Sequence, residues 1–277
     1  MKWVGGKRGL LSAILPRVPR DFRHYHEPFA GGLALFWELR RLGRLRESGT
    51  LRGLPLASAS LSDSNRHLMD LYRVIRDDVE ALIQALHPLR YDRDLYYSTR
   101  TWFNAGHGDR AERAAAFLLL NNTGYNGLWR ENRQGEYNVP FGDYENPTIL
   151  DAENLRACYL ALQGTWIHHR DFSESAKEIE EGDFVYFDPP YVPLTATSSF
   201  TGYCAGGFDH AAQVRLRDTA AALKRRSVRV LLSNSSAPAV FDLYREEDGW
   251  QVEVVEANRS VSCRGSARAK VREVLIS

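Results

Sequence analysis

Four consecutive residues, Asp188-Pro189-Pro190-Tyr191, combine the groups needed to bind a planar amino group. They follow the apolar run 183–187, which is predicted to be a buried strand. Consecutive prolines end the hydrogen-bond ladder, so an acid and an aromatic ring emerge at the strand's carboxyl end. Ligands bind at this edge of open α/β sheets. A carboxylate, a carbonyl and a flat ring suit an exocyclic amine, and a Pro-Pro loop with a solvated aspartate is the alternative.

The elements that must position these residues alternate between strands and helices along most of the chain. Strands are predicted at 25–29, 59–62, 165–169, 184–187, 228–232, 250–256 and 271–276, and helices at 10–18, 33–45, 67–86, 111–120 and 211–225. This alternation predicts an α/β fold with a mostly parallel sheet. No strand pattern appears between 66 and 150, so we expect an inserted, mainly helical domain there. The remaining residues, 1–65 and 151–277, would then form the α/β domain.

The composition is that of an ordinary globular protein, with 277 residues, 44% hydrophobic and 26% charged. Cys158, Cys204 and Cys263 are odd in number and lack paired spacing, which argues against a disulfide framework and a cysteine-based zinc site. We expect no bound metal. The sequence has neither an apolar run long enough to span a membrane nor a signal-peptide pattern. A cytoplasmic location is therefore expected.

Positive charge is concentrated near the two ends, although the net charge is only +1. Residues 1–23 carry six basic side chains and one acidic one, an excess of five. Residues 257–272 carry five basic side chains and no acidic one. The net charge argues weakly against a nucleic-acid-binding protein, but two basic segments could contact a phosphate backbone. Solvated basic ends are the alternative.

Glycines and acidic side chains follow the other predicted strands at the same sheet edge. Gly31 and Gly32 form the first strand-to-helix turn, where the backbone allows a ligand to approach closely. Asp63 ends the second strand and would bind ribose hydroxyls, with helix capping as the alternative. Asp171 and Phe172 end the third strand and would bond to and stack on an adenine, with core packing of the phenylalanine as the alternative. A nucleoside cofactor is expected, although the missing GxGxxG pattern disfavours a nucleotide-dependent oxidoreductase.

Together these motifs resemble the Dam-type (D12 class, alpha group) DNA adenine-N6 methyltransferases over almost the full length. The matching segments are 2–7, 27–32, 121–130 with 138–142, 186–191 with 199–203, and Ser233-Asn234. The turn at 27–33 is similar to the family's Pro-Phe-x-Gly-x-Gly pattern but departs from it at Ala30-Gly31-Gly32-Leu33. Asp-Pro-Pro-Tyr is shared with some cytosine-N4 enzymes, whereas Asn-Gly-Leu-x-Arg leading to Asn-Val-Pro-Phe-Gly is far more specific.

The resemblance implies a Rossmann-like methyltransferase sheet, with residues 66–150 as the target-recognition domain and S-adenosylmethionine as cofactor. The target amine lies within the base stack, so the resemblance also implies that the adenine is flipped out. Its amino group would be held by the Asp188 carboxylate and the Pro189 carbonyl, with Tyr191 stacked on the ring. The implied catalytic residues are Asp188, Pro189, Pro190 and Tyr191. The implied cofactor-binding residues are Trp3, Lys7, Phe29, Gly31, Gly32, Asp63, Asp171, Phe172 and Asp188. For Lys7, organisation of the acidic site is the alternative.

For double-stranded DNA, the resemblance implies contacts from Lys2, Tyr125, Asn126, Leu128, Arg130, Asn138 and Pro140. The Arg130 guanidinium suits guanine O6 and N7, and Lys2 is the candidate for a second guanine. Tyr125, Asn126 and Leu128 would wedge into the duplex, with packing of the turn as the alternative for Leu128. The favoured target is 5′-GATC. A cytosine-N4 methyltransferase and a catalytically silent DNA-binding relative are the competing functions, and no membrane or obligatory protein partner is expected.

Overall fold

The protein is described here by a computed structural model covering residues 3–45, 50–51, 54–55, 59–194, 208–257 and 271–277. The strands are β1 (Tyr25–Glu27), β2 (Thr50–Leu51), β3 (Leu54–Pro55), β4 (Ala59–Asp63), β5 (Thr165–His169), β6 (Phe184–Phe187), β7 (Arg229–Ser235), β8 (Val252–Ala257) and β9 (Val271–Ile276). The α-helices are α1 (Leu11–Ile14), α2 (Ala34–Arg41), α3 (Arg66–Asp77), α4 (Val79–Leu86), α5 (Arg93–Asn104), α6 (Arg110–Thr123), α7 (Ala152–Leu162), α8 (Phe172–Ser175), α9 (His210–Arg225) and α10 (Pro238–Leu243).

Seven strands form one mixed sheet in the order β5-β4-β1-β6-β7-β9-β8. The five strands from β5 to β7 are parallel, whereas β9 pairs antiparallel with both β7 and β8. The predicted α/β class with a mostly parallel sheet is therefore confirmed. The chain moves outward from β1 through β4 to β5 and then returns to β6 on the other side of β1. This reversal places a crevice between the carboxyl ends of β1 and β6, where open α/β sheets bind ligands.

The central strand β6 is buried on both faces, as expected for a parallel strand covered by helices on each side. Phe184 and Tyr186 belong to one hydrophobic core, and Val185 and Phe187 belong to the other. Full burial of a phenylalanine side chain contributes about 1.5–3 kcal/mol. The carboxyl end of β6, where Asp188 begins, is therefore anchored in both cores.

The helix predicted over 67–86 is divided at Asp78, and the prediction of one continuous helix is wrong. Asp78 has non-helical backbone angles, and its side chain accepts a hydrogen bond from the Ala81 N–H. It thus ends α3 and caps α4, a role in which aspartate stabilises a helix by about 1 kcal/mol.

Other differences arise where local hydrogen bonding outweighs the apolar pattern. The segment predicted as a helix over 10–18 contains only α1, flanked by the 3-10 turns Lys7–Leu10 and Leu15–Arg17. Pro16 lacks the N–H needed to continue an α-helix through this segment. The helices α5, α7, α8 and α10 were not predicted; α5 and α7 are capped by the Asp92 and Asp151 side chains.

The residues between β4 and β5 form helices and a hairpin-like segment, and their assignment to a separate inserted domain stays a prediction. Between 66 and 150 the only sheet-type pairings are two isolated bridges, Gly124 with Phe141 and Glu131 with Tyr137. The first helix of this region is also tied to the sheet, because the Arg73 side chain donates to the β5 carbonyl of Ile167 at 3.1 Å. The domain boundary at residue 66 stays a prediction. Within the described ranges, no helix is long and apolar enough to cross a membrane.

Candidate active site

Asp188 directly follows β6, and one of its carboxylate oxygens is held by two side chains. The Lys7 ammonium lies 2.8 Å from Asp188 Oδ1, and the Ser233 hydroxyl donates to the same oxygen at 2.8 Å. The Asp188 side chain is 19% exposed. Because both contacts use Oδ1, the described part of the chain leaves Oδ2 available to a hydrogen-bond donor on a ligand.

Burial and charge act in opposite directions on Asp188. Burial raises the pKa of the Asp188 carboxyl, and Lys7 together with the Ser233 hydrogen bond partly offsets that rise. The Lys7 ammonium also donates to the Gly5 carbonyl at 2.6 Å and lies 4.4 Å from the centre of the Tyr191 ring. The amino-terminal segment therefore supplies the positive charge of the site.

The Pro-Pro segment is fixed by a pair of amide side chains from α9 and β7. Gln213 donates to the Pro190 carbonyl at 2.8 Å, and Asn234 accepts from the Val192 N–H at 3.0 Å. The two amides are themselves joined, since Asn234 Nδ2 lies 3.2 Å from Gln213 Oε1. Gln213 binds the Pro190 carbonyl and not the Pro189 carbonyl. No described residue donates a hydrogen bond to the Pro189 carbonyl, which therefore stays available beside Asp188.

The turn after β1 needs a glycine at position 31. Gly31 has a φ of +44°, and a Cβ there would lie 3.0 Å from the Trp3 indole. Its N–H donates to Asp63 Oδ2 at 3.0 Å, and its carbonyl accepts from the Tyr72 hydroxyl at 2.7 Å. The turn is thereby fixed against the ends of β4 and α3, next to the amino-terminal segment.

Asp63 stabilises this turn, and a different residue, Asn65, caps α3. Its second oxygen, Oδ1, accepts from the Asn65 N–H at 2.8 Å. Asn65 is the residue that caps α3, by accepting from the Leu68 N–H at 2.9 Å. Both Asp63 oxygens thus accept from backbone N–H groups, and a carboxylate has further lone pairs for other hydroxyl donors.

The departure from the Pro-Phe-x-Gly-x-Gly pattern falls on a left-handed backbone position. Leu33 occupies the place of the second glycine of that pattern and has a φ of 55°. For a residue with a Cβ, this conformation costs about 1–2 kcal/mol. The side chain is only 1% exposed, so burial in the core offsets the backbone strain.

An aromatic group forms beyond the carboxyl ends of β1 and β5, the two strands that flank β4. The Phe29 and Phe172 rings are stacked with centroids 5.3 Å apart, and Phe208 contacts both rings. Phe172 is only 2% exposed, and the Arg215 guanidinium lies 4.7 Å from its ring centre. This geometry supports the packing alternative for Phe172. Asp171 caps α8 and forms an ion pair with Arg215 at 3.1 Å.

Glu27 is a buried acid at the end of β1. Among the described residues, no basic side chain pairs with it. Its Oε2 accepts from the Tyr25 hydroxyl at 2.7 Å, and the Phe36 N–H also bonds to its carboxyl. Burial nevertheless dominates and raises the pKa of Glu27 to about 8. The side chain is therefore expected to be protonated in the folded protein at neutral pH.

We expect the free energy of unfolding to fall between about pH 4.5 and pH 8 because of Glu27. In this range the folded chain holds a proton that the unfolded chain releases, so the Glu27 contribution falls by about 1.4 kcal/mol per pH unit. Denaturant unfolding of Glu27→Gln should lack this component. Glu153→Gln, a change at an exposed carboxylate of α7, serves as control and should keep the wild-type pH dependence; an unchanged slope in Glu27→Gln would contradict the assignment.

The hairpin-like segment after α6 presents Arg130 in a fixed orientation. Arg130 Nε donates to Asn138 Oδ1 at 2.6 Å, and its Nη2 donates to the Asn138 carbonyl at 3.3 Å. Both contacts lie along one side of the guanidinium. The other end of the fork, formed by Nη1 and the second N–H of Nη2, can still bind two acceptors together.

The tip of the preceding turn is exposed and has an unusual backbone. Asn126 has a φ of 54°, a left-handed conformation that asparagine adopts more readily than most residues. Tyr125 is 50% exposed and Pro140 is also exposed. Leu128 packs partly against the hydrophobic core, which supports local packing for this residue.

Trp129 anchors the hairpin on the helices beneath it. Its ring lies 4.2 Å from that of Phe117 and 4.5 Å from that of Tyr137, measured between centroids. Phe117 in turn stacks with Trp3 at 6.3 Å. Trp129, which precedes Arg130, therefore packs against α6, and α6 also contacts the amino-terminal segment.

Three sequence predictions concern residues outside the described ranges. Lys2 was expected to contact a guanine, and 199–203 was expected to belong to the catalytic region. The basic side chains of 257–272, expected to favour contact with a phosphate backbone, also lie outside these ranges except for Arg272. All three stay predictions.

The family model of the D12 class N6 adenine-specific DNA methyltransferases matches residues 3–261. The chain belongs to this family. A type II methyltransferase of Lactococcus lactis subsp. cremoris is 38% identical to this methyltransferase, over 100% of the chain and 93% of the relative. A type II methyltransferase of Methanocaldococcus jannaschii is 36% identical, over 100% and 97% respectively. The DNA adenine methylase of Escherichia coli is 33% identical, over 99% and 93%.

Several residues that shape the site of this methyltransferase were not assigned a role from the sequence. Ser233 was noted only as part of a matching segment, although it holds Asp188. Gln213 interrupts the apolar face of α9 that includes Leu216 and Ala220, and a buried polar residue on such a face is a usable signal. Glu273 in β9 accepts a hydrogen bond from the Tyr191 hydroxyl, and no such sequence signal marks it.

Proposed function

We propose that the chain transfers a methyl group from S-adenosylmethionine to N6 of an adenine flipped out of duplex DNA, with 5′-GATC as the target. Membership of the D12 class establishes the chain as an adenine-specific DNA methyltransferase, and the family implies this methyl donor. The flipped base, the target sequence and the residue roles go beyond family membership. The observation that supports the flipped base is the pair of acceptors, Asp188 Oδ2 and the Pro189 carbonyl, at the crevice between β1 and β6. The target sequence is supported by the Arg130 segment.

The two acceptors would hold the two N–H groups of the adenine amine. Two hydrogen bonds to one amine favour a pyramidal nitrogen, whose lone pair then points toward the methyl group. Bound S-adenosylmethionine would supply that methyl group from its sulfonium: the bond between sulfur and the methyl carbon would break, with its electron pair going to sulfur, as the amine lone pair forms the N–C bond. Asp188 need not be a strong base, because the methylated amine releases its extra proton readily.

The residues at the glycine turn fit a nucleoside cofactor. A Cβ at position 31 would occupy space beside Trp3, and the glycines at 31 and 32 allow close approach of a methionine moiety. Asp63 retains lone pairs for ribose hydroxyls. Phe29 would border the cofactor, and Asp171 would lie near its adenine. The burial of Phe172 supports a role for that ring in packing Phe29.

The recognition segment would contact DNA through residues 125–140, in the target-recognition domain that we assign to 66–150. The free end of the Arg130 guanidinium suits guanine O6 and N7, with Asn138 fixing its orientation. Tyr125 and Asn126 would enter the duplex at the flipped base, and Leu128 and Pro140 would support the turn.

Transfer of tritiated methyl groups to duplexes, followed by nucleoside analysis, tests the proposal. We expect label only as N6-methyladenine, in a duplex containing GATC, with little transfer when one base of that site is changed. Label only as N4-methylcytosine would support the cytosine alternative. Cofactor binding without transfer to any DNA would support the silent relative, and label confined to RNA would exclude duplex DNA as the substrate.

Replacing Lys7 by glutamine is expected to shift the acidic side of the pH–rate profile toward higher pH. Asp188 accepts hydrogen bonds only as a carboxylate. Removing the Lys7 ammonium raises the pKa of Asp188 further. The variant should therefore lose activity at a higher pH than the wild type when the pH is lowered. Single-turnover rates from pH 5 to 9 at saturating cofactor measure this shift. The matched control is Lys177→Gln, a change at an exposed lysine, whereas Lys7 is the lysine that pairs with Asp188. An unshifted profile for Lys7→Gln would contradict the proposed electrostatic role.

A further inference from the structure

Tyr191 interacts with three side chains outside the Asp-Pro-Pro-Tyr motif, namely Ser233, Glu273 and Lys7. Its hydroxyl donates to Glu273 Oε2 at 2.7 Å. The Lys7 ammonium lies over its ring at 4.4 Å from the centre. The hydroxyl bond fixes the tip of the side chain, and the cation occupies one face of the ring.

Glu273 is placed for this contact by the antiparallel end of the sheet. It pairs with Ser235 of β7 on one side and with Val255 of β8 on the other. Side chains alternate across a strand, so Glu273 shares a face with Leu275, which packs in the same core as Tyr186. That face is the one on which Tyr186 reaches Ser233 at 3.0 Å.

The hydroxyl bond therefore connects the motif to a strand that is far away in sequence. Tyr191 follows the rigid Pro-Pro segment, but two rotatable bonds still separate its ring from the backbone. A hydrogen bond from the hydroxyl to a carboxylate restricts both torsions, and bonds to charged groups are stronger than bonds between neutral ones. The ring orientation consequently depends on Glu273 as well as on the local backbone.

We infer that Glu273 is a positioning residue that sets the Tyr191 ring at the angle required to stack on the flipped adenine. This inference rests on the proposed function. Glu273 acts through Tyr191 and does not itself touch the base. The ring face opposite Lys7 is the one that receives the adenine, so the carboxylate and the ammonium together leave a single stacking surface.

A double-mutant cycle with Tyr191→Phe, Glu273→Ala and the double variant tests the inference. Each single change should lower the single-turnover rate about tenfold, the order expected for loss of one hydrogen bond to a charged group. The double variant should be no slower than Tyr191→Phe, because that change already removes the bond to Glu273 together with the hydroxyl's interaction with Ser233. Cofactor KM should stay at its wild-type value, and 2-aminopurine at the target position should show a smaller fluorescence increase on binding.

Two further variants separate positioning from folding. Glu273→Gln retains an acceptor oxygen and should recover part of the rate. Glu253→Gln makes the same change on β8, in a side chain that pairs with Arg17, and should leave the rate unchanged. Thermal unfolding of every variant shows whether the fold persists.

The outcomes distinguish this inference from the proposed function. A wild-type rate in Glu273→Ala, or a double variant slowed about a hundredfold, the product of two independent tenfold effects, would overturn the role of Glu273 alone. Wild-type protein that leaves adenine in duplex DNA unmethylated would overturn the proposed function and the inference together.

Discussion

Replacing Asp188 by alanine is expected to lower the methyl-transfer rate by at least about a hundredfold, since loss of one preorganised contact to a reacting group has this magnitude. The change removes Oδ2, the acceptor proposed for the adenine amine. It also removes the partner of Lys7, so the unbound ammonium would no longer be matched by a negative charge. Single-turnover methylation of a GATC duplex at saturating cofactor measures the effect.

The fold should survive this substitution. Loss of one partner of a buried ion pair costs about 3–5 kcal/mol, and domains have about 5–15 kcal/mol of stability. Lys7 would still donate to the Gly5 carbonyl. Asp218→Ala, at an exposed position of α9, is the matched control and should keep the wild-type rate. Substantial activity in a folded Asp188→Ala protein would remove the amine-holding role.

Replacing Arg130 by alanine is expected to weaken binding to the cognate duplex by about 1–3 kcal/mol and to relax the preference at one base position. The reason is geometric: Asn138 holds one side of the guanidinium, and the other end would bind two guanine acceptors together. Titration against duplexes that vary one GATC position at a time, at fixed salt, identifies the position that is relaxed.

Arg133 provides a control on the same hairpin. Its side chain is exposed at the turn, so Arg133→Ala removes an equal charge without removing the proposed base contact. It should weaken all duplexes similarly and reduce the salt dependence, without changing base preference. An unchanged site preference in Arg130→Ala would rule out the assigned readout.

The catalytic edge could be predicted because its signals are local in sequence. An apolar strand followed by Asp-Pro-Pro-Tyr defines where the chain leaves the sheet, and β6 is observed at the predicted 184–187. The glycine turn and Asp63 follow their strands in the same manner. Parallel strands direct their carboxyl ends to one edge, so these local signals converge there once the sheet forms.

The contacts that orient the site could not be predicted because they join distant segments. The Asp188–Ser233 and Tyr191–Glu273 hydrogen bonds depend on the register of β7 and β9, which no local pattern specifies. The break at Asp78 was missed for another reason. An aspartate inside an apolar helical pattern is compatible with one exposed position or with a cap, and the backbone decides between them.

The most direct test is the structure of the protein bound to a GATC duplex and an unreactive cofactor analogue. We expect the target adenine outside the duplex, with its N6 about 3 Å from both Asp188 Oδ2 and the Pro189 carbonyl and its ring stacked on Tyr191. An adenine left within the helix, or an N6 bound by neither acceptor, would contradict the account.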